Sequence, residues 1–200
     1  MGLKKHATMT GQIFLIRHGE TEWSLSGKHT GSTDILLTST GEESARKLAS
    51  TVPKNPDFVL SSPLTRAQHT ASLAGLVVTR TEPDLTEWNY GEFEGRTTAE
   101  IRAERNENSW LIWDSPIPNG EQLSDVATRV DRVIAESLPT VLAGGTVVLV
   151  AHGHVLRILT ARWLGLSPIH ARYFALSPAT ISTLGFEHEQ HVITKWNSLT

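Results

Sequence analysis

The sequence predicts an α/β fold: a three-layer sandwich with a mostly parallel central sheet, helices on both faces and a small lid segment. Two observations carry this reading. Short apolar runs rich in β-branched residues alternate with stretches of helical periodicity, the pattern of strands joined by helical crossovers. One run, Thr146 to Ala151 (TVVLVA), is apolar throughout, as a strand covered on both faces must be. A chain of 200 residues with 39% hydrophobic content is enough for one well-cored domain spanning 1–200.

Gln12 to Arg17 reads as the first strand. A helix follows Thr38 and Gly41, because Ala45, Leu48, Ala49 and Val52 recur at helical spacing before Pro53 stops it. Asp57 to Ser61 (DFVLS) is the second strand; Ser62 then serves as an N-cap, with Pro63 at the first position of a helix running to about Ala74. Leu76 to Thr79 reads as the third strand. Residues 81–120 are irregular and punctuated by proline, hold Trp88, Tyr90, Phe93, Trp110 and Trp113, and contain one short helix around Thr98 to Arg105. This segment reads as a lid over a cleft. Glu121 to about Ala143 is a long amphipathic helix with Val126, Val130, Val133, Ile134, Leu138 and Leu142 inward, kinked or ended by Pro139. Thr146 to Ala151 should be the central strand, followed by a helix from Gly153 to Leu164 and, between Thr180 and Trp196, two further strands. Residues 1–11, with Met9 an equally good start, read as a disordered or expression-derived extension.

Composition narrows the function. A formal charge of -3 gives no long-range attraction to nucleic acid or to an anionic membrane, so an anion site has to be local. The absence of cysteine removes disulfides, thiol nucleophiles and thiolate-bound metal together. No signal-type stretch opens the chain, and no apolar run approaches the roughly 20 residues of a membrane span. A cytoplasmic setting is expected, with a small phosphorylated molecule or inorganic phosphate as partner, no nucleic acid or membrane, and room for a homodimer.

In an open α/β sheet, ligands bind beyond the carboxyl ends of strands, where helix N-termini attract anions. Arg17 and His18 end the first strand in LIRHGET, and His152 follows the central strand in AHGH. Arg66 lies on the first turn after the second strand, in SSPLTRA, and Glu87 follows the third. Two guanidiniums, two imidazoles, a glycine-flanked helix start at Gly153 and one carboxylic acid form a coherent set for phosphoryl transfer. The arginines can bind phosphate oxygens bidentately, an imidazole can attack through one nitrogen while a backbone carbonyl at the Gly19 turn holds the other, and Glu87 can protonate the leaving oxygen. Neither step needs a metal or other cofactor. His154 could touch substrate or merely cap the pocket rim, and most lid aromatics should be packing residues.

The runs RHGET, SSPLTRAQHT, TEWNYGEFEGR and AHGHVLR, in this order, resemble the histidine phosphatase superfamily, the phosphoglycerate mutase-like proteins, over nearly the whole chain. The resemblance implies His18 as the phosphohistidine nucleophile, Arg17, Arg66 and His152 as the phosphate pocket, and Glu87 as proton donor. A narrower similarity, carried by RHGETEWSLSGKHTGSTDILLT, Trp110 to Trp113 and Asn119-Gly120-Glu121, is to the sedoheptulose-bisphosphatase branch; Ser24 stands where many family members carry asparagine. On that likeness His29, Thr30 and Ser32 would line the entrance, with Trp88, Tyr90 and Phe93 as a wall, and Ser24, Gly153 and His154 are further candidates for binding substrate.

Three other functions compete. A mutase would return the phosphoryl group to its substrate; His152 follows Glu87 by 65 residues, shorter than mutases of the family usually allow, which favours access of water. A phosphate-binding module without turnover has no use for Glu87. A metallohydrolase built on His152, His154, His188 and His191 would lack acidic partners.

Overall fold

The computed structural model describes residues 10–199. The first nine residues of the expected extension lie outside the described residues, but Gly11 does not belong to an extension: it is buried, and a Cβ there would come within 2.0 Å of the Val141 carbonyl oxygen. Strand β1, Gln12–Arg17, falls where periodicity placed it. Its residues alternate between two cores, Ile13 and Leu15 in one and Ile16 in the other.

A short helix α1, Glu22–Ser26, not foreseen, is set by a capping box in which Thr21 and Ser24 satisfy each other's backbone N–H. Helix α2, Ser39–Lys47, starts at the Thr38 cap and tightens into a single 3-10 turn, Leu48–Ser50, before Pro53. Strand β2 is Phe58–Ser61. Helix α3, Thr65–Leu73, begins later than expected, with Leu64 as its extended N-cap residue and neither Ser62 nor Pro63 in the predicted role. The Ser62 hydroxyl still takes the Leu64 N–H at 3.3 Å while His152 approaches the same oxygen at 2.7 Å, and the helix proper starts only at Thr65. The third strand is likewise displaced from Leu76–Thr79 to β3, Arg80–Thr81. There the Thr79 hydroxyl takes the Val59 N–H at 3.1 Å, so a side chain occupies a place in the ladder that a backbone carbonyl would fill.

Helix α4, Thr98–Arg105, matches its predicted range, with a Thr97/Glu100 capping box at one end and left-handed Asn106 at the other. Helix α5, Leu123–Leu142, runs past Pro139, which sits in the last turn and neither ends the helix there nor removes more than one intrahelical bond. Leu142, expected inward, is half exposed, and Val141 is buried in its place. Strand β4, Thr146–Ala151, leads to helix α6, Gly153–Trp163, and the chain closes with strands β5, Ile181–Glu187, and β6, Gln190–Ser198.

The sheet order is β3-β2-β4-β1-β5-β6, with β3, β2, β4 and β1 parallel and β5 and β6 an antiparallel hairpin at one edge. Strand β4 is central, as its unbroken apolar run required. Helices α2 and α3 cover one face over Ile16, Val59, Val148 and Val150, and α5 and α6 cover the other over Ile13, Leu15, Val147 and Leu149. Neighbouring strands β1 and β4 therefore send their connections to opposite faces, which opens a crevice at their carboxyl ends. No described helix is long and apolar enough to cross a membrane.

Candidate active site

His18 and His152 meet in that crevice with ring centroids 5.1 Å apart. His18 Nδ1 lies 2.7 Å from the Gly19 carbonyl oxygen, which can only accept, so Nδ1 carries the proton and Nε2 keeps a free lone pair. Burial, followed by the Arg17 and Arg66 charges, holds this imidazole well below its ordinary 6.5, outweighing the Gly19 bond, and the ring is neutral near pH 7. His152 is fixed in the opposite tautomer. Arg66 Nε must donate to its Nδ1 at 3.1 Å, leaving the proton on Nε2 to be donated to Ser62 Oγ at 2.7 Å. Burial and the charge of Arg66 also keep His152 neutral.

The two arginines are held differently. Arg66 is fully buried, and besides His152 its guanidinium meets three carbonyls: Nη1 donates to Thr33 at 2.8 Å, Nη2 to Thr30 and Gly31 at 3.2 and 2.9 Å. One Nη1 N–H stays outside these bonds. Arg17 Nη1 donates to the Leu176 carbonyl, while its buried Nε has no hydrogen-bond partner among the described residues. Burial lowers the pKa of both, with Glu87 the largest opposing influence, yet both remain cations since arginine titrates far above neutrality. Gly153 makes room for Arg17: a Cβ there would lie 3.2 Å from the Arg17 guanidinium carbon. Gly153→Ala is expected to displace that guanidinium and to raise KM for phosphate esters about tenfold, with the unfolding midpoint nearly unchanged, a result steady-state kinetics and thermal melts would check.

Glu87 is buried at the start of α6, where its Oε2 accepts from His154 N–H and its Oε1 from Val155 N–H, both at 2.9 Å, with Trp88 N–H adding a third bond at 3.0 Å. A helix N-terminus is the favoured place for a carboxylate. Oε2 accepts only one of the three and retains a lone-pair site for a proton. The acid thus borders the same cavity as His18 and Arg17, a cleft of about 300 Å³.

Ser24, His29, Thr30, Tyr90, Gly153 and His154 all border this cleft, as expected. Ser24 does so with its hydroxyl committed to the Thr21 cap. His154 Nδ1 pairs with the Tyr90 hydroxyl at 2.5 Å; burial keeps this histidine neutral and pushes the phenol well above its ordinary 10. Burial likewise lowers His29 to about 4. Arg66 and His152, both fully buried, are not among the residues bordering the cleft, although the His152 ring centroid lies 5.1 Å from that of His18, which does. Trp88 and Phe93 are corrections: Trp88 turns its indole N–H to the Glu121 carbonyl at 2.7 Å and packs behind Trp113, Phe93 packs on Trp110, and neither borders the cleft. Ser32 is exposed outside it.

The cleft also has walls the sequence reading missed. Lys28, Thr98 and Arg157 supply polar groups and Leu111, Ile112 and Trp113 an apolar side. Arg157 packs its guanidinium over Trp113 at 4.7 Å. Its spacing was a usable signal, since Arg157 follows His154 by three residues and so shares its helix face. Elsewhere, a larger groove of about 560 Å³ lies beside the loop entering β2, but only Lys54 among its lining residues is titratable, which leaves it without the groups for this chemistry. The four histidines of the metallohydrolase alternative do not converge: His191 stacks on Trp163, 4.0 Å away, while His152 and His154 are bound to Ser62, Arg66 and Tyr90. Among the described residues no group of three or more histidines or acids is placed to hold a metal ion.

A doubly covered α/β sheet gathers a neutral histidine, two cationic guanidiniums and a carboxyl group at its carboxyl edge, a set of groups suited to phosphoryl transfer. The chain belongs to the histidine phosphatase superfamily, whose branch 1 pattern matches residues 13–199, and is an enzyme of that class. It is 39% identical over 191 residues to an acid phosphatase of Mycobacterium tuberculosis, covering 94% of this chain and 90% of that one. A sedoheptulose 1,7-bisphosphatase of Saccharomyces cerevisiae is 32% identical (80% and 69% covered), and a 2,3-bisphosphoglycerate-dependent phosphoglycerate mutase of Rhizobium rhizogenes 37% (76% and 78%). A solved structure of an open reading frame product of Mycobacterium tuberculosis superposes with a TM-score of 0.88 at 36% identity, covering 94% of this chain and 97% of that one.

Proposed function

We propose that this enzyme hydrolyses small sugar-type phosphomonoesters through a phosphohistidine on His18. The observation that carries the reading is the tautomer of His18: its Nδ1 proton is tied to Gly19, which leaves a nucleophilic Nε2 beside Arg17. Nε2 attacks phosphorus as the P–O bond to the leaving group breaks, and the leaving oxygen takes a proton from Glu87. Water then attacks the phosphohistidine and gives its proton to the Glu87 carboxylate; the N–P bond breaks, restoring His18 and releasing phosphate. Arg17 and Arg66 offset the negative charge that would otherwise repel the nucleophile.

Polar Thr98, His29 and Lys28 and apolar Leu111, Ile112 and Trp113, all bordering the cleft, suit a sugar, whose ring has hydroxyl edges and apolar faces. Lys28 and Arg157 are cations suited to a second anionic group on such a substrate, in keeping with the bisphosphatase relative. Phosphate release should therefore be measured across sugar mono- and bisphosphates, phosphoglycerates and nucleotides. A sugar bisphosphate is expected to lead, and Lys28→Ala to raise its KM by about three- to tenfold while leaving monophosphates nearly unaffected. Equal exchange between phosphoglycerate isomers without net release would instead establish the mutase reading, which the mutase relatives favour.

A further inference from the structure

The site described above holds a buried arginine to which, among the described residues, no carboxylate is hydrogen-bonded. The carboxylate nearest Arg66 is that of Asp34, whose oxygen stands 3.9 Å from Nη1, beyond hydrogen-bond distance. Its three carbonyl partners all belong to one loop, residues 30–33. That loop is pinned from behind by Glu94: Oε1 accepts from Gly31 N–H at 2.9 Å and Thr33 N–H at 3.0 Å, and Oε2 also meets Gly31 N–H at 3.0 Å. The peptide unit joining Thr30 to Gly31 therefore bridges the two charges, its N–H on the Glu94 carboxylate and its C=O on the Arg66 guanidinium.

We propose that Glu94 is a positioning residue for Arg66, acting through this peptide unit to hold the guanidinium in the pose that binds phosphate. The dipole of the bridging amide is aligned with both charges, so each end strengthens the other. Backbone bonds alongside fix the register of the two segments, Gly95 N–H to His29 O and His29 N–H to Arg96 O, both at 2.8 Å. Only glycine fits at 31, since a Cβ would lie 2.5 Å from the Trp88 carbonyl oxygen and 2.6 Å from Glu94 Oε2. Burial lowers the pKa of Arg66, opposed first by the charge of Glu87, then by Asp34 and Tyr90, and least by Glu94, so Glu94 acts here through geometry rather than through its direct charge. Glu94 itself is absent from the residues bordering the cleft, which separates its effect from direct contact with substrate.

The inference rests on Arg66 being a phosphate ligand, and the test separates the two claims. Binding of inorganic phosphate is titrated by phosphorus NMR in the wild type, Glu94→Ala, Glu94→Gln, Arg66→Ala and the Glu94→Ala/Arg66→Ala pair, with a thermal melt of each. Glu94→Ala is expected to weaken phosphate about tenfold, and the isosteric Glu94→Gln, which keeps one acceptor oxygen for the two N–H groups, about threefold. In the Arg66→Ala background the Glu94 substitution should cost less than about twofold more, because its target is gone. A full tenfold loss in that background would overturn the proposal, showing that Glu94 acts on the fold or on another ligand. Unchanged phosphate binding in Arg66→Ala would instead overturn the pocket on which the proposal stands. If Glu94→Ala does not fold, Glu94→Gln carries the same comparison, and wild-type affinity in it with its melt intact would equally sink the idea.

Discussion

Replacing His18 with alanine is expected to lower turnover by roughly 10^5-fold or more while phosphate binding persists, because the substitution removes the attacking atom and leaves both guanidiniums in place. The ring contributes little to the surrounding architecture: its one protein hydrogen bond is to the next residue's carbonyl, so the melt should shift little. Trapping the enzyme with labelled substrate should yield an acid-labile, base-stable phosphoenzyme in the wild type and none in His18→Ala; a labelled mutant would place the nucleophile elsewhere. The pH profile supplies an independent check. Burial and the two arginine charges disfavour the imidazolium, so the nucleophilic neutral ring survives to well below pH 6.5. Since kcat/KM reports ionisations of the free enzyme, any acid limb due to His18 should lie well under that value. A limb at 6.5 assigned to His18 would contradict the buried, arginine-flanked environment.

The parts of this fold that the sequence announced are those governed by local rules. Strands β1 and β4 were legible to the residue, and helix α4 in its approximate range, because a run of apolar residues or a local helical pattern depends only on neighbours in the chain. The misplacements have tertiary causes. Ser62 has every local quality of an N-cap and its hydroxyl does take the Leu64 N–H, but it is shared with a histidine 90 residues away and the helix starts three residues later. Thr79 reads as strand, yet its side chain takes the bond that would have extended the ladder. The site divides in the same way. Arg17, His18, Arg66 and His152 were found because strand ends converge in an open sheet whatever the loops do. The irregular segment between β3 and α5 has no periodicity to tell inward from outward, so Trp88 and Phe93 were taken for cleft walls while Leu111 and Ile112 went unnoticed. Glu94 acts through backbone groups of a loop distant in sequence, and no side-chain pattern could have marked it.

Glu87→Gln is expected to reduce kcat/KM, which reports the P–O cleavage step alone, about 10^2- to 10^4-fold on alkyl phosphates and less than about tenfold on aryl phosphates. The asymmetry follows from the leaving group. An alkoxide is too basic to depart without a proton, whereas an aryl oxide departs unaided, so only the former depends on the acid. The substitution is nearly isosteric, and the three hydrogen bonds that Glu87 accepts bound its structural cost. Glutamine can keep its oxygen toward Val155 and Trp88 N–H but must then turn its NH2 toward the His154 N–H, losing one hydrogen bond worth about 1 kcal/mol and adding a donor-donor contact. That disturbance acts on both classes of ester alike and therefore cancels in their ratio. Two steps of the cycle use Glu87, and they can be separated: with aryl esters, bond cleavage proceeds while the water-activation step remains impaired, so phosphoenzyme should accumulate in Glu87→Gln and give a burst of aryl alcohol before slow turnover. Equal losses on both ester classes with no burst would remove Glu87 from proton transfer and reduce it to an anchor for the first turn of α6.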